Sequence, residues 1–247
     1  MQLTKVLMGV NDNPHYTGFW PIVSRFWRER IGIEPVLLKI AAEEAPVRQD
    51  RYGKVMTFKA VAGVDTGFQS QVVRLFAPKL FPDDVCLLAD VDVLPLNRAY
   101  YQQQVHAANK RQIVVYNADA YAPAGREKRY PISYVAGLGS CLQRAFGDWF
   151  NFANCVQHLQ RLGLGWDTDE LFMTRCLDDL PNTSLVLRQR NPTSKGKGWG
   201  GVAWRSIDRS DWQYDLELIK KDYYIDAHLP RPAEPELSKL AAHYMDP

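Results

Sequence analysis

The chain has 247 residues, of which 46% are hydrophobic and 23% charged, and its formal net charge is +2. This composition is typical of a globular protein, and the length suits one α/β domain with a sizeable core. A charge so close to neutral does not indicate nucleic acid or an anionic membrane as a partner. The cysteines Cys86, Cys141, Cys155 and Cys176 form no C-x-x-C pair. We therefore expect buried free thiols in a reducing compartment.

The first ten residues become polar too early for a signal peptide, and no stretch approaches the ~18 apolar residues that span a bilayer. The sequence therefore predicts a soluble, cytoplasmic protein.

Strand-like and helix-like segments alternate along the chain, which favours an α/β fold with a mostly parallel central sheet flanked by helices. The segments 118–131 and 188–212 have little periodicity and are predicted to be loops, which often carry function when they are long. Strands are predicted at 5–10, 35–40, 85–90 and 112–116, with a further short strand that ends near His228, and helices at 20–30, 69–80, 100–109, 146–162, 169–180 and 236–244.

The most informative segment is residues 85–96, VCLLADVDVLPL. An apolar run typical of a buried central strand ends in Asp90 and Asp92, whose i, i+2 spacing puts both carboxylates on one side. Oxygen ligands of this kind suit Mg²⁺ or Mn²⁺, which often bridge to phosphates. The segment thus predicts a divalent ion and a nucleotide diphosphate at the sheet edge. Alternatively, the two residues only cap and solubilise the strand end.

Residues 71–95, QVVRLFAPKLFPDDVCLLADVDVLP, resemble the D-x-D region of GT-A-fold glycosyltransferases. The resemblance implies one GT-A-like domain over 1–247, with a nucleotide-binding half, 1–110, that ends in the D-x-D motif. Residues 111–247 would form the acceptor half and a C-terminal metal and lid segment. Asp90 and Asp92 would hold Mn²⁺ or Mg²⁺ against the donor diphosphate, and Arg74 would contact the donor sugar. Arg74 as a solvated helix residue is the alternative.

In GT-A proteins the loop after the first strand holds the nucleoside, because ligands lie outside the carboxyl ends of the strands. The sequence NDNP at 11–14 is also an ordinary turn sequence. No G-x-G-x-x-G follows the strand and no P-loop motif is present, which argues against a Rossmann dehydrogenase and a P-loop enzyme. The predicted nucleotide-binding residues are Val10, Asn11, Asp12, Asn13, Tyr16 and, beside the D-x-D carboxylates, Val91.

An acidic cluster opens the predicted helix at 169–180, within the sequence GWDTDELF at 165–172. Carboxylates in a first helical turn are favoured by the helix dipole, and Asp167 or Thr168 could simply be the N-cap. The resemblance implies an acceptor site: in inverting members one such carboxylate takes the proton of the acceptor hydroxyl. In some retaining members a similar cluster binds a sugar. Asp169 is the first candidate base, followed by Asp167 and Glu170.

Near the C-terminus, YYIDAHLPR at 223–231 resembles the short strand whose histidine completes the metal site in many GT-A enzymes. His228 would join Asp90 and Asp92, and an imidazole beside carboxylates suits Mn²⁺. Placement of His228 on the surface or in the core is the alternative. The chain lacks the H-x-x-G-x-x-K-P-W tail of glycogenin-like enzymes, which leaves the metal shell open.

Two further segments fit the resemblance. The glycine- and lysine-rich stretch 188–201 is a candidate lid, in which Lys195 and Lys197 would balance donor phosphates. It is equally typical of a solvated basic loop. The small-residue segment 134–140 resembles the strand that borders the donor sugar, although its glycines could also mark a bulge.

Together these features predict a metal-dependent glycosyltransferase that moves a sugar from a nucleotide sugar to a glycan or lipid-linked glycan. A UDP-sugar is favoured, with GDP- or dTDP-sugars as alternatives, and an acceptor in a membrane would require peripheral association. The second hypothesis is a haloacid-dehalogenase-like phosphatase with Asp90 as nucleophile, Asp92 as acid and Asp178-Asp179 as the late acidic motif. The third is a non-catalytic scaffold that binds a nucleotide.

Overall fold

The computed structural model describes residues 1–121, 128–190, 204–231 and 235–245. Its strands are β1 (Lys5–Val10), β2 (Glu34–Ala41), β3 (Arg48–Gln49), β4 (Lys54–Lys59), β5 (Val85–Asp90), β6 (Val93–Pro95), β7 (Ile113–Val115), β8 (Val135–Leu138), β9 (Leu185–Leu187), β10 (Arg205–Ile207) and β11 (Tyr224–His228). Its α-helices are α1 (Pro14–Thr17), α2 (Trp20–Arg25), α3 (Thr66–Phe76), α4 (Arg98–His106), α5 (Gly139–Phe146), α6 (Phe152–Arg161), α7 (Thr168–Asp178), α8 (Leu216–Lys220) and α9 (Pro235–Met245).

The large sheet has the strand order β3-β4-β2-β1-β5-β8-β7-β9. Its centre, β4-β2-β1-β5, is parallel, whereas β8 runs antiparallel to both β5 and β7. Helices flank this sheet, as the sequence predicts. Gly9 of β1 is paired with Asp90 of β5, so the carboxyl ends of these two central strands lie side by side.

A small second sheet joins the C-terminal segment to the D-x-D segment. Its order is β10-β11-β6, with β11 antiparallel to β6 and His228 opposite Val93. Just beyond the pair, the Leu229 amide donates to the Asp92 carbonyl oxygen at 2.8 Å. This pairing carries His228 to the D-x-D motif from more than a hundred residues away in the chain.

Helix α3 packs closely on β1. Its N-cap is Asp65, whose side chain accepts a hydrogen bond from the Phe68 amide at 2.8 Å. The buried face of the helix includes Val72 and Val73. A Cβ atom at Gly9 would lie 1.9 Å from the Ser70 carbonyl oxygen, so only glycine permits this approach of helix and strand.

Two apolar clusters cover the two faces of the sheet. Along β1, Val6 and Met8 belong to one cluster and Leu7 to the other, as the two-residue period of a strand requires. The first cluster extends from Leu3 to Tyr244 of α9, so it contains residues from both predicted halves of the chain.

The structure differs from the sequence prediction in several elements. The prediction of a single helix over 146–162 is wrong. Helix α5 ends at Phe146, and Gly147 follows with φ 114°, a backbone conformation that favours glycine. A new helix, α6, then starts after Asn151, whose side chain caps it. Strands β4 and β9 were not predicted. The segment 188–212 is described only to Arg190 and from Trp204, where it contributes β10. In the described ranges, no helix has the length and apolarity needed to cross a membrane.

Candidate functional site

A cavity of about 570 Å³ opens at the carboxyl edge of β1 and β5. It collects segments that are far apart in sequence: the loop after β1, helix α3, the D-x-D motif, the start of α7 and the end of β11. The predicted site residues among its lining are Val10, Asn11, Asn13, Tyr16, Arg74, Asp90, Val91, Asp92, Asp167, Asp169, Glu170 and His228.

Of the predicted residues that the structure describes, Asp12 is not in this lining. Asp12 instead forms an ion pair with Lys39 of β2 at 2.6 Å. Lys195 and Lys197 lie outside the described residues. A larger cavity of about 760 Å³, beside Arg30 and Asp222, is lined by none of the predicted site residues.

Arg74 is buried and connects two of the predicted carboxylates. One of its terminal nitrogens forms a close ion pair with Asp90, and the other donates to Asp169 Oδ2 at 2.9 Å. Ser133 also donates to Asp90. Burial alone would lower the pKa of Arg74, but Asp90 and Asp169 outweigh it and raise that pKa. Arg74 therefore remains charged and holds the end of β5 against the start of α7.

Asp169 and Glu170 are adjacent but differ in their surroundings. Asp169 Oδ1 accepts from the Glu170 amide at 2.8 Å, so both its oxygens are engaged. Glu170 accepts from the Tyr121 hydroxyl at 3.0 Å and the Ile132 amide at 3.3 Å. Burial, reinforced by the charge of Asp169, raises the pKa of Glu170 to about 7. Glu170 is thus the carboxylate in this cluster best suited to take up a proton near neutral pH.

Asp167, the third acidic candidate, is half-exposed and forms an ion pair with Arg129 at 2.6 Å. Arg129 Nε also lies 3.8 Å from Glu170 Oε2. The Arg129 guanidinium thus lies close to the carboxylates of both Asp167 and Glu170.

Asp92 is 4% exposed, and one of its oxygens is shared between two guanidiniums. Its Oδ2 atom accepts from Arg231 at 2.7 Å and from Arg209 at 3.0 Å, and His228 Nε2 lies 3.6 Å away. Burial would raise the pKa of Asp92, but His228, Arg231 and Arg209 together outweigh it and lower the pKa to about 2. Asp92 is therefore ionised throughout the neutral range.

The predicted metal ligands do not fit an ion in this arrangement. Among the residues that the structure describes, no three His, Cys, Asp or Glu side chains are grouped to hold a metal. Both oxygens of Asp90 accept hydrogen bonds, from Arg74 and Ser133, and Asp92 Oδ2 faces two guanidiniums. The site formed by Asp90, Asp92 and His228 stays a prediction that a metal-binding measurement has to test.

The loop after β1 is held by its own side chains. Asn11 Nδ2 donates to Thr66 Oγ1 at 3.1 Å, and the Asn13 amide donates to Asn11 Oδ1 at 3.2 Å. Tyr16 lies under Arg231, whose guanidinium carbon is 4.5 Å from the ring centroid. The loop thus brings two amides to the cavity lining, and Tyr16 behind it brings an aromatic ring next to Arg231, which binds Asp92.

Sequence reasoning missed several residues of the cavity. Arg231 lies within the segment that delivers His228 but was given no role there. Trp166 directly precedes the predicted acidic cluster but was given no role. No local signal distinguishes Arg209, Arg129 or Tyr121, because only tertiary packing brings them to the cavity.

The late acidic motif of the phosphatase hypothesis does not meet Asp90. Asp178 binds Lys128 at 2.8 Å, and neither it nor Asp179 is in the lining of the cavity. The structure thus gives the phosphatase hypothesis no support.

Comparison with known proteins agrees with this architecture. No family model and no curated protein matches the sequence. Among solved structures, the galactosyltransferase LgtC in complex with donor and acceptor sugar analogs matches with a TM-score of 0.51 at 10% identity, covering 98% of this chain and 96% of LgtC. The chain has the fold of this galactosyltransferase.

The GT-A-like fold predicted from the sequence is thereby confirmed. A second structure of LgtC, an active-site mutant, gives the same values. The glycosyltransferase GlyE of Streptococcus pneumoniae TIGR4 matches with a TM-score of 0.45 at 11% identity, over 77% of this chain and 46% of GlyE.

Proposed function

We propose that this protein transfers a sugar from a nucleoside-diphosphate sugar to a hydroxyl group of a glycan or lipid-linked glycan. The observation that carries the proposal is the composition of one cavity. The loop after β1, the D-x-D end of β5 and the acidic start of α7 all line the same space of about 570 Å³. A volume of this order is typical of small-molecule sites. The shared fold with a galactosyltransferase supports the same reading.

The charge around the cavity is uneven, and it differs between the region of Asp92 and the start of α7. At Asp92, two guanidiniums face one carboxylate, which leaves a surplus of positive charge beside the loop after β1. A diphosphate suits this region, with the nucleoside against Asn11, Asn13 and Tyr16.

The region at the start of α7 has a surplus of negative charge. Arg129 lies between Asp167 and Glu170, so one guanidinium balances only one of the two carboxylates when both are ionised. A neutral acceptor sugar with hydroxyl donors suits this region, because its hydroxyls can donate to carboxylate oxygens. Trp166 is 68% exposed and lines the cavity here, where its ring could stack on a sugar.

In the proposed reaction the bond between the anomeric carbon and the phosphate oxygen breaks, and its electron pair leaves with the nucleoside diphosphate. The acceptor oxygen forms the new bond to that carbon, and its proton passes to Glu170. Asp169 acts as a positioning residue: through Arg74 it fixes the D-x-D strand relative to α7. No step of this scheme depends on the predicted metal site.

The test is release of nucleoside diphosphate from UDP-, GDP- and dTDP-hexoses, with and without oligosaccharide acceptors, in Mn²⁺, in Mg²⁺ and in EDTA. We expect one nucleotide class to be turned over, and Glu170→Gln to slow turnover by about 10²- to 10⁴-fold, as for loss of a general base. Glu217→Gln, on exposed α8, is the matched control and should leave turnover unchanged.

Nucleotide binding without any release of diphosphate would instead identify a non-catalytic scaffold. Absence of both binding and turnover for all three classes would reject the proposed function.

A further inference from the structure

The second carboxylate of the D-x-D motif, Asp92, is bound by two arginines. Arg209, which follows β10, and Arg231, which follows β11, converge on the single atom Asp92 Oδ2 at 3.0 and 2.7 Å. The Asp92 side chain is 6% exposed, whereas the two arginine side chains are 36% and 35% exposed. The buried carboxylate thus anchors two guanidiniums that still face the cavity.

The other arginines that line the cavity, Arg74 and Arg129, each lie between two carboxylates. Arg74 is buried and divides its donors between Asp90 and Asp169. Arg129 lies between Asp167 and Glu170. At both places carboxylates outnumber guanidiniums, whereas around Asp92 guanidiniums outnumber carboxylates. Within the described part of the chain, the surplus of positive charge in this cavity therefore lies with Arg209 and Arg231.

Tyr16 adds an independent constraint on Arg231. The guanidinium stacks over its ring at 4.5 Å and donates to its hydroxyl. Stacking of this kind orients the planar group and leaves its edge available for hydrogen bonds. Because Tyr16 follows the loop after β1, Arg231 is held next to the predicted nucleotide-binding loop.

We propose that Arg209 and Arg231 form a guanidinium clamp that binds the donor diphosphate and balances its charge, so that donor binding does not require a divalent ion. This inference rests on the proposed function and names the groups that hold the donor. Each planar guanidinium can donate two parallel hydrogen bonds to a phosphate. The incoming diphosphate competes with Asp92 for these donors.

The clamp and the predicted metal site make different demands on the same carboxylates. A metal held by Asp90 and by Asp92 Oδ2 would need oxygens that here accept from Arg74, Ser133, Arg209 and Arg231. In the clamp, Asp92 competes with the diphosphate for the two guanidiniums. If Asp92 were a metal ligand, its charge would instead be essential for binding the diphosphate. Removing its charge thus has opposite consequences in the two cases.

The experiment is titration calorimetry of UDP, GDP and dTDP into the full chain, in EDTA and in Mn²⁺. In EDTA we expect one nucleotide to bind, and Arg209→Gln and Arg231→Gln each to weaken binding by about 10- to 100-fold, as for loss of charged hydrogen bonds. The matched control is Arg205→Gln: Arg205 is exposed on β10, outside the cavity lining, and its loss should change affinity less than about two-fold. Melting curves of all variants verify that they are folded.

Asp92→Asn provides the second measurement. The clamp predicts that this variant binds the nucleotide in EDTA as tightly as the native chain or more tightly, because a competing charge is removed. Binding that appears only with Mn²⁺ and is lost in Asp92→Asn would overturn the clamp and leave the proposed function standing. Failure of folded native protein to bind any of the three nucleotides under either condition would reject both.

Discussion

At the scale of single residues, neighbours in sequence have different chemistry because their partners differ. Asp169 is 3% exposed and fixed by Arg74 and a backbone amide, whereas Glu170 is bound by neutral donors from Tyr121 and Ile132. Burial raises the pKa of Asp169, with Arg74 opposing it, and raises the pKa of Glu170 to about 7. The roles within the acidic cluster therefore follow from the surroundings of each carboxylate.

This difference predicts a pH profile. Because a general base must be ionised, turnover should fall as the pH drops below about 7, where Glu170 becomes protonated. The acidic limb of the rate profile should vanish in Glu170→Gln, leaving a low rate that does not change with pH in this range. Asp167→Asn serves as the comparison, since Asp167 is half-exposed and paired with Arg129. Persistence of the limb in Glu170→Gln would reject Glu170 as the base.

At the scale of elements, the cavity depends on how closely α3 approaches β1. The parallel register places Gly9 opposite Asp90, and the helix above Gly9 carries Arg74, which binds Asp90. The spacing of helix and strand thus sets the position of Arg74 relative to the D-x-D motif.

Gly9→Ala tests this dependence. The added Cβ would lie 1.9 Å from the Ser70 carbonyl oxygen, so α3 must move away from the sheet. We expect a loss of about 1–3 kcal/mol in the free energy of unfolding, typical of overpacking, together with weaker nucleotide binding. In Gly137→Ala, inside β8, the new atom would meet side-chain atoms of Ile113 at 3.3 Å, and a smaller loss is expected. Equal melting temperatures for the native chain and Gly9→Ala would contradict this account.

At the scale of the whole molecule, the C-terminal segment packs into the same apolar core as the N-terminal half. Leu237, Leu240 and Tyr244 of α9 belong to the same apolar cluster as Leu3 and Phe26. The Leu96 amide also donates to the Ile225 carbonyl oxygen of β11 at 2.8 Å. These contacts favour the single domain predicted over 1–247, which a folding measurement can test.

We expect one cooperative unfolding transition, with coincident curves from tryptophan fluorescence and circular dichroism. Leu240→Ala should lower the stability of that transition by about 2–5 kcal/mol, because a fully buried leucine is truncated. His243→Ala, on the exposed side of α9, should have little effect. A separate early transition that alone responds to Leu240→Ala would show that α9 unfolds independently of the rest.

The features that could be predicted from the sequence are those with a local signal. An apolar run ending in Asp90 and Asp92 identified β5 and one edge of the cavity, and the acids after Trp166 marked the start of α7. Alternation of strands and helices predicted the α/β fold. Helix ends were less well predicted. The apolar pattern continues on both sides of Gly147, so the sequence predicted one helix over 146–162 where the structure has a break.

Which distant groups share the cavity could not be predicted, because it depends on how the chain folds. His228 and Arg231 reach Asp92 because β11 pairs with β6, and Arg209 arrives with the neighbouring β10. Strand pairing of this kind leaves no local periodicity that would indicate the partner or the register. The engagement of Asp92 by two guanidiniums follows from burial and charge at that meeting point, and these exist only in the folded chain.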